Sequence, residues 1–549
     1  MTISLLTFYW RKASDMTTQY PISNIRYLLL LLYFLLAALF ATTTPPWQNP
    51  DEPAHYNYVA FVATEGRLPV LQMGDYDEAY LQRLKDEKFP AELSIAPVRY
   101  EFHQPPLYYI LAAPVYWLSG GSLLALRLFS ALLGAGAIWL LSLCFQTVFP
   151  QKPSVVLAAT AFVAFLPMHL AILSSLNNDS LAELLIAGGL LVLLRWTKDG
   201  RVTRWQGDRV SRLSHFTFHV SRTTHYALRT THLLTLGLLI GLGFLTKATA
   251  YILLPVALLT ITLVIATRSF TIHNSPFTIH NFFYTFRRSL SSLLPVLLSS
   301  LLLGFPLWLR NSATYGGLDF LGLGWHDRVV TGQPTTVDWI AANGWSAYWE
   351  RAGEFTFKSF WGVFGWLGVF MDGRVYTLLL IFSGIVAVGL LAGLLRFVRG
   401  KTQAVEPQRW GIVAALLLLT GVAASYVWYN LGFVQHQGRY LFPALFAFGL
   451  LVALGWREAL RPRVSFAAAG LLLLWAVILA GTGLAVGSLD KWTLLFLAGG
   501  IGVLLVNGLL ERISGGARLR PFLYALPFVW LILLDAAIPF LYTVPQLTR

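Results

Sequence analysis

Long apolar runs without charge, separated by short polar or basic segments, recur along almost the whole of this 549-residue chain. The first, residues 26–43, reads RYLLLLLYFLLAALFATT and is uncharged after Arg26, enough to cross a bilayer core with little tilt. Reading each such run as a helix predicts spans near 27–43, 122–148, 154–173, 180–196, 232–247, 250–267, 289–309, 376–397, 410–430, 438–456, 463–485, 492–510 and 521–542. The expected fold is therefore an all-α polytopic membrane domain of about thirteen transmembrane helices over 26–549, after a segment 1–25 on the cytoplasmic side. Residues 1–15 precede a second methionine, Met16, and need not belong to that fold. The first run lacks a small-x-small cleavage pattern and has many more spans after it, which favours a span over a cleaved secretory signal.

Composition agrees: 56% hydrophobic against 12% charged residues leaves too little polar surface for a soluble protein of this length. A net charge of +14 would suggest nucleic acid in a soluble chain, but here the basic residues fall in alternate loops. They include Lys152, Lys198 to Arg229, Arg287 and Arg288, Arg396 to Lys401, Arg457 to Arg463, and Arg512 to Arg520. The positive-inside rule places these loops in the cytoplasm, in a cytoplasmic membrane, with no nucleic-acid partner. Counting the apolar stretch 105–119 as a span would invert every later loop, so it is read as an interfacial helix. The basic inserts 197–231 and 268–288 are rich in Ser, Thr and His; 268–288 holds the near-repeat SFTIHN and PFTIHN. Their histidines are not read as metal ligands. The single cysteine, Cys144, excludes an intramolecular disulfide and is read as packing.

This topology leaves two long extracytoplasmic loops, 44–121 and 310–376, and puts ten carboxylates in the first, from Asp51 to Glu101. The second is dense in aromatics, among them Trp325, Trp345, Tyr348, Trp349, Trp361 and Trp366, a pattern of interfacial belts or of rings that stack on sugars. Asp51 is placed to cap a helix from Glu52 to about Glu65, with Pro53 in its first turn and Gly66 to stop it. Ala54, Tyr58, Phe61 and Val62 would then share a face, and His55 would stand one turn from Asp51 and Glu52. Asp51 and Glu52 are the candidate catalytic carboxylates. With His55 they suit a base or a divalent metal, Mg or Mn, about equally, and no other cofactor is indicated. His103 and Asp179 are further candidates for positioning an acceptor or a metal. Lys247, Arg310 and Arg439, at span ends on the same face, suit a phosphate, against simple snorkelling to headgroups.

The elements Asp51-Glu52, His103-Gln104-Pro105-Pro106-Leu107, Asn178-Asp179, Leu245-Thr246-Lys247 and Arg310-Asn311 resemble in order those of the GT-C superfamily of integral-membrane glycosyltransferases. Protein O-mannosyltransferases and the lipid A aminoarabinose transferase belong to it. The fuller wording PDEPAHYNY, HQPPLYY and QGRYLFP is similar to a bacterial and archaeal multispanning family of unknown function. The resemblance implies a polyprenyl-phosphate-linked sugar donor, a lipid, glycan or protein acceptor, and an active site open to the extracytoplasmic side. Asp51 would be the base, Glu52 its partner, and Lys247 and Arg310 ligands of the lipid phosphate, with Arg439 outside the broadly shared elements. A surface-polysaccharide polymerase or ligase would use the same donor. A flippase or transporter would need more ionisable groups inside spans, where Asp535 is the main one noticed. There is no Gly-rich phosphate loop for a nucleotide sugar.

Overall fold

The computed structural model describes residues 22–199, 214–273, 279–401, 403–513 and 516–548. Of the basic inserts, 200–213 and 274–278 lie outside the described residues, as do the side chains of their histidines His215, His219, His225, His273 and His280. The described chain is helical almost throughout. The first long loop and its flanks comprise α1 Ile22–Thr43, α2 Glu52–Glu65, α3 Glu78–Asp86, α4 Leu107–Leu118 and α5 Leu123–Val148. The middle is built from α6 Pro153–Ala164, α7 Pro167–Leu173, α8 Asp179–Asp199, α9 Ser214–Phe244, α10 Leu253–His273 and α11 Ile279–Tyr315. The second long loop carries α12 Leu323–Val329, α13 Thr336–Trp361 and a two-stranded antiparallel hairpin, β1 Val363–Phe364 with β2 Val369–Phe370. Then follow α14 Gly373–Val398, α15 Glu406–Gly432, α16 Leu445–Ala459, α17 Pro462–Val486, α18 Lys491–Leu509, α19 Arg520–Ile538 and α20 Val544–Leu547.

Eleven helices among the described residues are long and apolar enough to cross a membrane, twelve if the bent pair α6 and α7 counts as one span. The expected span 232–247 is the apolar last part of α9 and is not among them. The run 154–173 is also not the single straight helix expected: it bends by 61° between Ala164 and Pro167. Pro167 has no N–H, so the ladder breaks at the preceding turn. The interfacial helix read at 105–119 is the 12-residue α4, too short to span.

Apolar side chains cover both the inside and the outside of the bundle. Leu298, Leu302, Phe305 and Leu309, at helical spacing on α11, are 59%, 76%, 60% and 60% exposed, the surface of a multi-pass membrane protein. Inside, α5 packs along α8, α8 along α9, α9 along α11 and α14 along α16. Where lipid supplies no hydrophobic drive, close approach of backbones does the work. Gly237 and Gly241, four apart on α9, let it lie against the Val296–Ser300 backbone of α11; a Cβ at Gly237 would stand 2.5 Å from the Val296 carbonyl oxygen. Cys144 is buried in this core, its thiol facing the Ala187 carbonyl.

A second, smaller core lies under the first loop. Tyr58 and Val59 of α2, Phe102 in the 3-10 turn Tyr100–His103, Tyr108 and Tyr109 of α4, and Leu176 and Leu181 at the α8 end are buried together. Ala54 and Tyr58 are buried as the expected face requires, while Phe61 and Val62 are half-buried. This layer fixes the first loop on the ends of the spans and thereby positions the residues described next.

Candidate active site

Asp51 opens α2 without capping it. The residue adopts the left-handed conformation, φ 66°, and its carboxylate makes no bond to the first turn of α2, contrary to the capping expected from sequence. A left-handed non-glycine residue is strained unless surrounding contacts hold it. Here they do: Oδ1 accepts the Tyr100 hydroxyl at 2.8 Å and Oδ2 lies 3.3 Å from a guanidinium nitrogen of Arg439. Burial alone would raise the Asp51 pKa. Arg439, His55, the Tyr100 hydroxyl and Lys247 together outweigh that, in this order, and hold it below the ordinary carboxylate value.

Glu52 does not join Asp51. Its side chain is fully buried and paired bidentately with Arg127, Nε to Oε1 at 2.8 Å and an NH2 group to Oε2 at 2.6 Å. The backbone N–H groups of Trp47 and Leu176 and the Asn49 amide also donate to it. Arg127 in turn donates to the carbonyls of Ala41, Thr44 and Pro45, the chain end left open where α1 stops. Glu52 therefore ties α1, α2, α5 and the turn before α8 together, and its carboxylate is engaged there rather than beside Asp51.

His55 is buried and its Nδ1 is 2.8 Å from the Tyr109 hydroxyl. Tyr109 stacks on Tyr58 at 3.6 Å between centroids. Burial, more than offsetting Glu101 and Asp51, keeps the imidazole pKa below its ordinary value. Among the described residues no group of three His, Cys, Asp or Glu side chains could hold a metal ion. With Glu52 on Arg127 and His55 on Tyr109, the expected Asp51, Glu52 and His55 ligand set does not form.

His103 packs beside α12. Its Nδ1–H donates to the Tyr100 carbonyl at 3.0 Å, and its ring lies 4.4 Å from that of His326 on α12. Burial first and His326 second push its pKa down to about 3. Its neighbour Gln104 does reach the site's frame: the Asn178 amide donates to the Gln104 side chain at 3.3 Å and to the Thr246 carbonyl at 3.2 Å, and Leu107 N–H donates to the Leu245 carbonyl. Three elements far apart in sequence are thus knitted by side-chain amide and backbone bonds. Asn177 accepts the Asp179 N–H at 2.9 Å and so starts α8, leaving the Asp179 carboxylate in the first turn, where the helix dipole favours it.

The Asp179 carboxylate pairs with Lys247 at 2.7 Å. Lys247 precedes a 3-10 turn, Ala248–Ile252, as Arg439 lies within another, Gly438–Ala444. Arg439 is braced by Gln437 at 2.7 Å before it reaches Asp51. The glycine before it is required by contact: a Cβ at Gly438 would stand 2.3 Å from the Phe360 nitrogen and 2.4 Å from the Thr356 carbonyl oxygen. Gly438→Ala is therefore expected to displace Arg439 and reduce turnover at least tenfold in protein that still purifies as a single species, measured by initial rates.

Arg310 stands apart from the other two cations. It donates to the Pro69 carbonyl at 2.5 Å and to the Asn311 side chain, pairs with no carboxylate among the described residues, and fastens the first loop to the end of α11. Of the six second-loop aromatics named above, Trp345 and Trp349 are exposed, at 62% and 65%; Tyr348 and Trp361 are buried, Trp325 donates to the Leu71 carbonyl and Trp366 to that of Trp47.

Arg127, His169, Glu183 and Asp535 are ionisable side chains buried within apolar helices. Arg127 and the pair His169 and Glu183 are hydrogen-bonded, whereas both oxygens of Asp535 lack a partner among the described residues. A lone arginine in the apolar run 123–148 was the signal available for Arg127, because a charge in a span needs a partner.

Residues 103–208 match the family model described as dolichyl-phosphate-mannose-protein mannosyltransferase. By sequence, no characterised protein matches the chain significantly. Among solved structures, ArnT from Cupriavidus metallidurans bound to undecaprenyl phosphate is 14% identical, with a TM-score of 0.44, over 95% of this chain and 76% of its own. The Archaeoglobus fulgidus oligosaccharyltransferase tethered to an acceptor peptide containing the NVT sequon is 14% identical, with a TM-score of 0.42, over 90% of this chain and 55% of its own. The segment matched by the mannosyltransferase family model holds His103, Gln104, Asn178 and Asp179, four of the residues on which the resemblance was read.

Proposed function

We propose that the protein transfers a sugar from a polyprenyl-phosphate donor to an acceptor hydroxyl on the extracytoplasmic face of the cytoplasmic membrane. The observation that carries this reading is the pairing of Asp51 with Arg439 and of Asp179 with Lys247, with Asp51 also within the field of Lys247. Two acids and two cations so arranged suit general-base attack beside a phosphate that gains charge as it leaves. The acceptor O–H would give its proton to Asp51 as its oxygen bonds to the anomeric carbon. The bond from that carbon to the phosphate oxygen breaks, and the polyprenyl phosphate leaves with the electron pair. Lys247 and Arg439 neutralise it. In the resting site each cation is held by an acid, so the donor phosphate finds them oriented.

In this reading Glu52 stays with Arg127 and Arg310 with the Pro69 carbonyl, and neither takes part in the step. The sugar and the acceptor, whether lipid, glycan or protein, are set by surfaces beyond the two ion pairs.

The test uses purified protein with a radiolabelled polyprenyl-phosphate sugar. Lys247→Ala and Arg439→Gln each remove one charge-assisted contact to the phosphate, worth about 1.5–3 kcal/mol, so donor KM should rise roughly 10- to 150-fold. Wild-type donor KM in both variants would overturn the phosphate assignment. No transfer by the wild-type chain from any polyprenyl-phosphate sugar in a mixed pool would overturn the reading itself.

A further inference from the structure

We propose that the buried His169–Glu183 pair is a positioning device that locks the broken helix and, through it, aligns the two ion pairs of the site. This rests on the transferase reading above. Pro167 cannot donate to the Val163 carbonyl, four residues earlier, and an unpaired carbonyl is costly inside a membrane. His169 supplies the missing donor, with Nδ1 2.7 Å from the Val163 oxygen. A carbonyl only accepts, so Nδ1 carries a proton, and the other ring nitrogen, Nε2, faces Glu183 Oε2 at 2.6 Å. One further proton lies on that line, whether the pair is written as imidazolium and carboxylate or as imidazole and acid.

The imidazole touches three elements at once. Glu183 is one turn along α8 from Asp179, the partner of Lys247. The edge of the ring meets Phe442 at 5.4 Å and 79°, and Phe442 is three residues after Arg439 in the same 3-10 turn. The bend itself is the third, since it sets the course of α7 into Ser174 to Asn178, where Leu176 N–H meets Glu52 and Asn178 meets Gln104. His169 and Glu183 side chains are 0% and 9% exposed, in a core where an apolar pair would pack without the desolvation of an ionisable one. What the apolar pair could not do is cap Val163 and fix α8 against it with directional bonds.

Three variants test this in detergent, on the monodisperse fraction and well below each variant's Tm. His169→Phe keeps the ring and loses both bonds; Glu183→Ala loses one. Glu183→Gln keeps the geometry, because the amide donates to Nε2 while Nδ1–H stays on Val163, but removes the shared proton. Expected are kcat losses of at least tenfold for H169F and E183A, with E183Q within threefold of wild type. Amide exchange in 174–179 and 438–442 should rise in H169F or E183A and not in E183Q. Wild-type kcat and exchange in E183A, or in H169F, would overturn the proposal. So would an E183Q as impaired as E183A, which would make the proton itself the agent. The exchange measurement needs no turnover, so it decides the pair even if the wild-type chain proves inactive on polyprenyl-phosphate sugars.

Discussion

Asp51→Asn should abolish transfer to within about 10⁻² to 10⁻⁴ of the wild-type kcat, the range a positioned general base supplies, while the protein folds as before. The substitution is chosen to change one thing. Asparagine is among the few residues at ease in the left-handed region, so the φ of 66° at this position is kept. Its amide oxygen still accepts the Tyr100 hydroxyl, and the side chain is 30% exposed, so the lost charge opposite Arg439 is screened by solvent. The proton acceptor is what disappears. The pH profile gives a second reading of the same assignment. Although burial favours the protonated acid, Arg439 and the other nearby groups leave the Asp51 pKa below the ordinary value of about 3.9. The base is therefore ionised at neutral pH, and the acid limb of kcat/KM lies below about pH 4, with Arg439→Gln moving it upward. The linked stability has the same sign: it is present above about pH 4 and lost as pH falls through the lower folded value. An Asp51→Asn enzyme within threefold of wild type would remove Asp51 from the mechanism. An acid limb between pH 5 and 6.5 that vanishes in His55→Gln would pass the role to His55.

What the sequence could tell of this site divides by distance. Helices written in long apolar runs, such as α1, α5 and α14, were legible because length and hydropathy alone decide a span. The break in 154–173 was legible in principle, since Pro167 forbids the bond that a straight helix needs, but a hydropathy reading passes over a proline among apolar neighbours. The order of Gln104, Asn178 and Thr246 could be read as a resemblance; that one asparagine amide bonds to the other two could not, because only tertiary packing brings them together. Asp51 and Glu52 are the clearest case. Adjacent in sequence and chemically alike, they read as a pair. Successive residues at a helix start point in different directions, and each carboxylate follows the cation that the fold delivers: Arg439 from 388 residues away, Arg127 from 75. Arg310 depends on packing in the same way, since the Pro69 carbonyl it meets is 241 residues away. Local pattern fixes which residues are near the membrane face, and long-range pairing decides which of them are free for chemistry.

Glu52 and Arg127 should accordingly behave as the reverse of Asp51. Removing one member of a buried ion pair leaves the other charge without compensation and costs about 3–5 kcal/mol, so Glu52→Gln and Arg127→Ala should lower Tm and the yield of monodisperse protein sharply. Arg127→Ala should be the worse of the two, because it also strips donors from the carbonyls of Ala41, Thr44 and Pro45. Glu52→Leu combined with Arg127→Met removes both charges and should regain part of the loss, as apolar replacement of buried pairs does, yet not all of it, since those three carbonyls stay unpaired. Folded Glu52→Gln protein, assayed well below its Tm, should turn over within about tenfold of wild type, while Asp51→Asn, folded under the same conditions, should not. Thermal unfolding and initial rates on the same preparations separate the two carboxylates. If Glu52→Gln instead unfolds like wild type and is inactive, its carboxylate is catalytic, the Arg127 pair is dispensable to the fold, and the division of labour between these neighbouring acids must be exchanged.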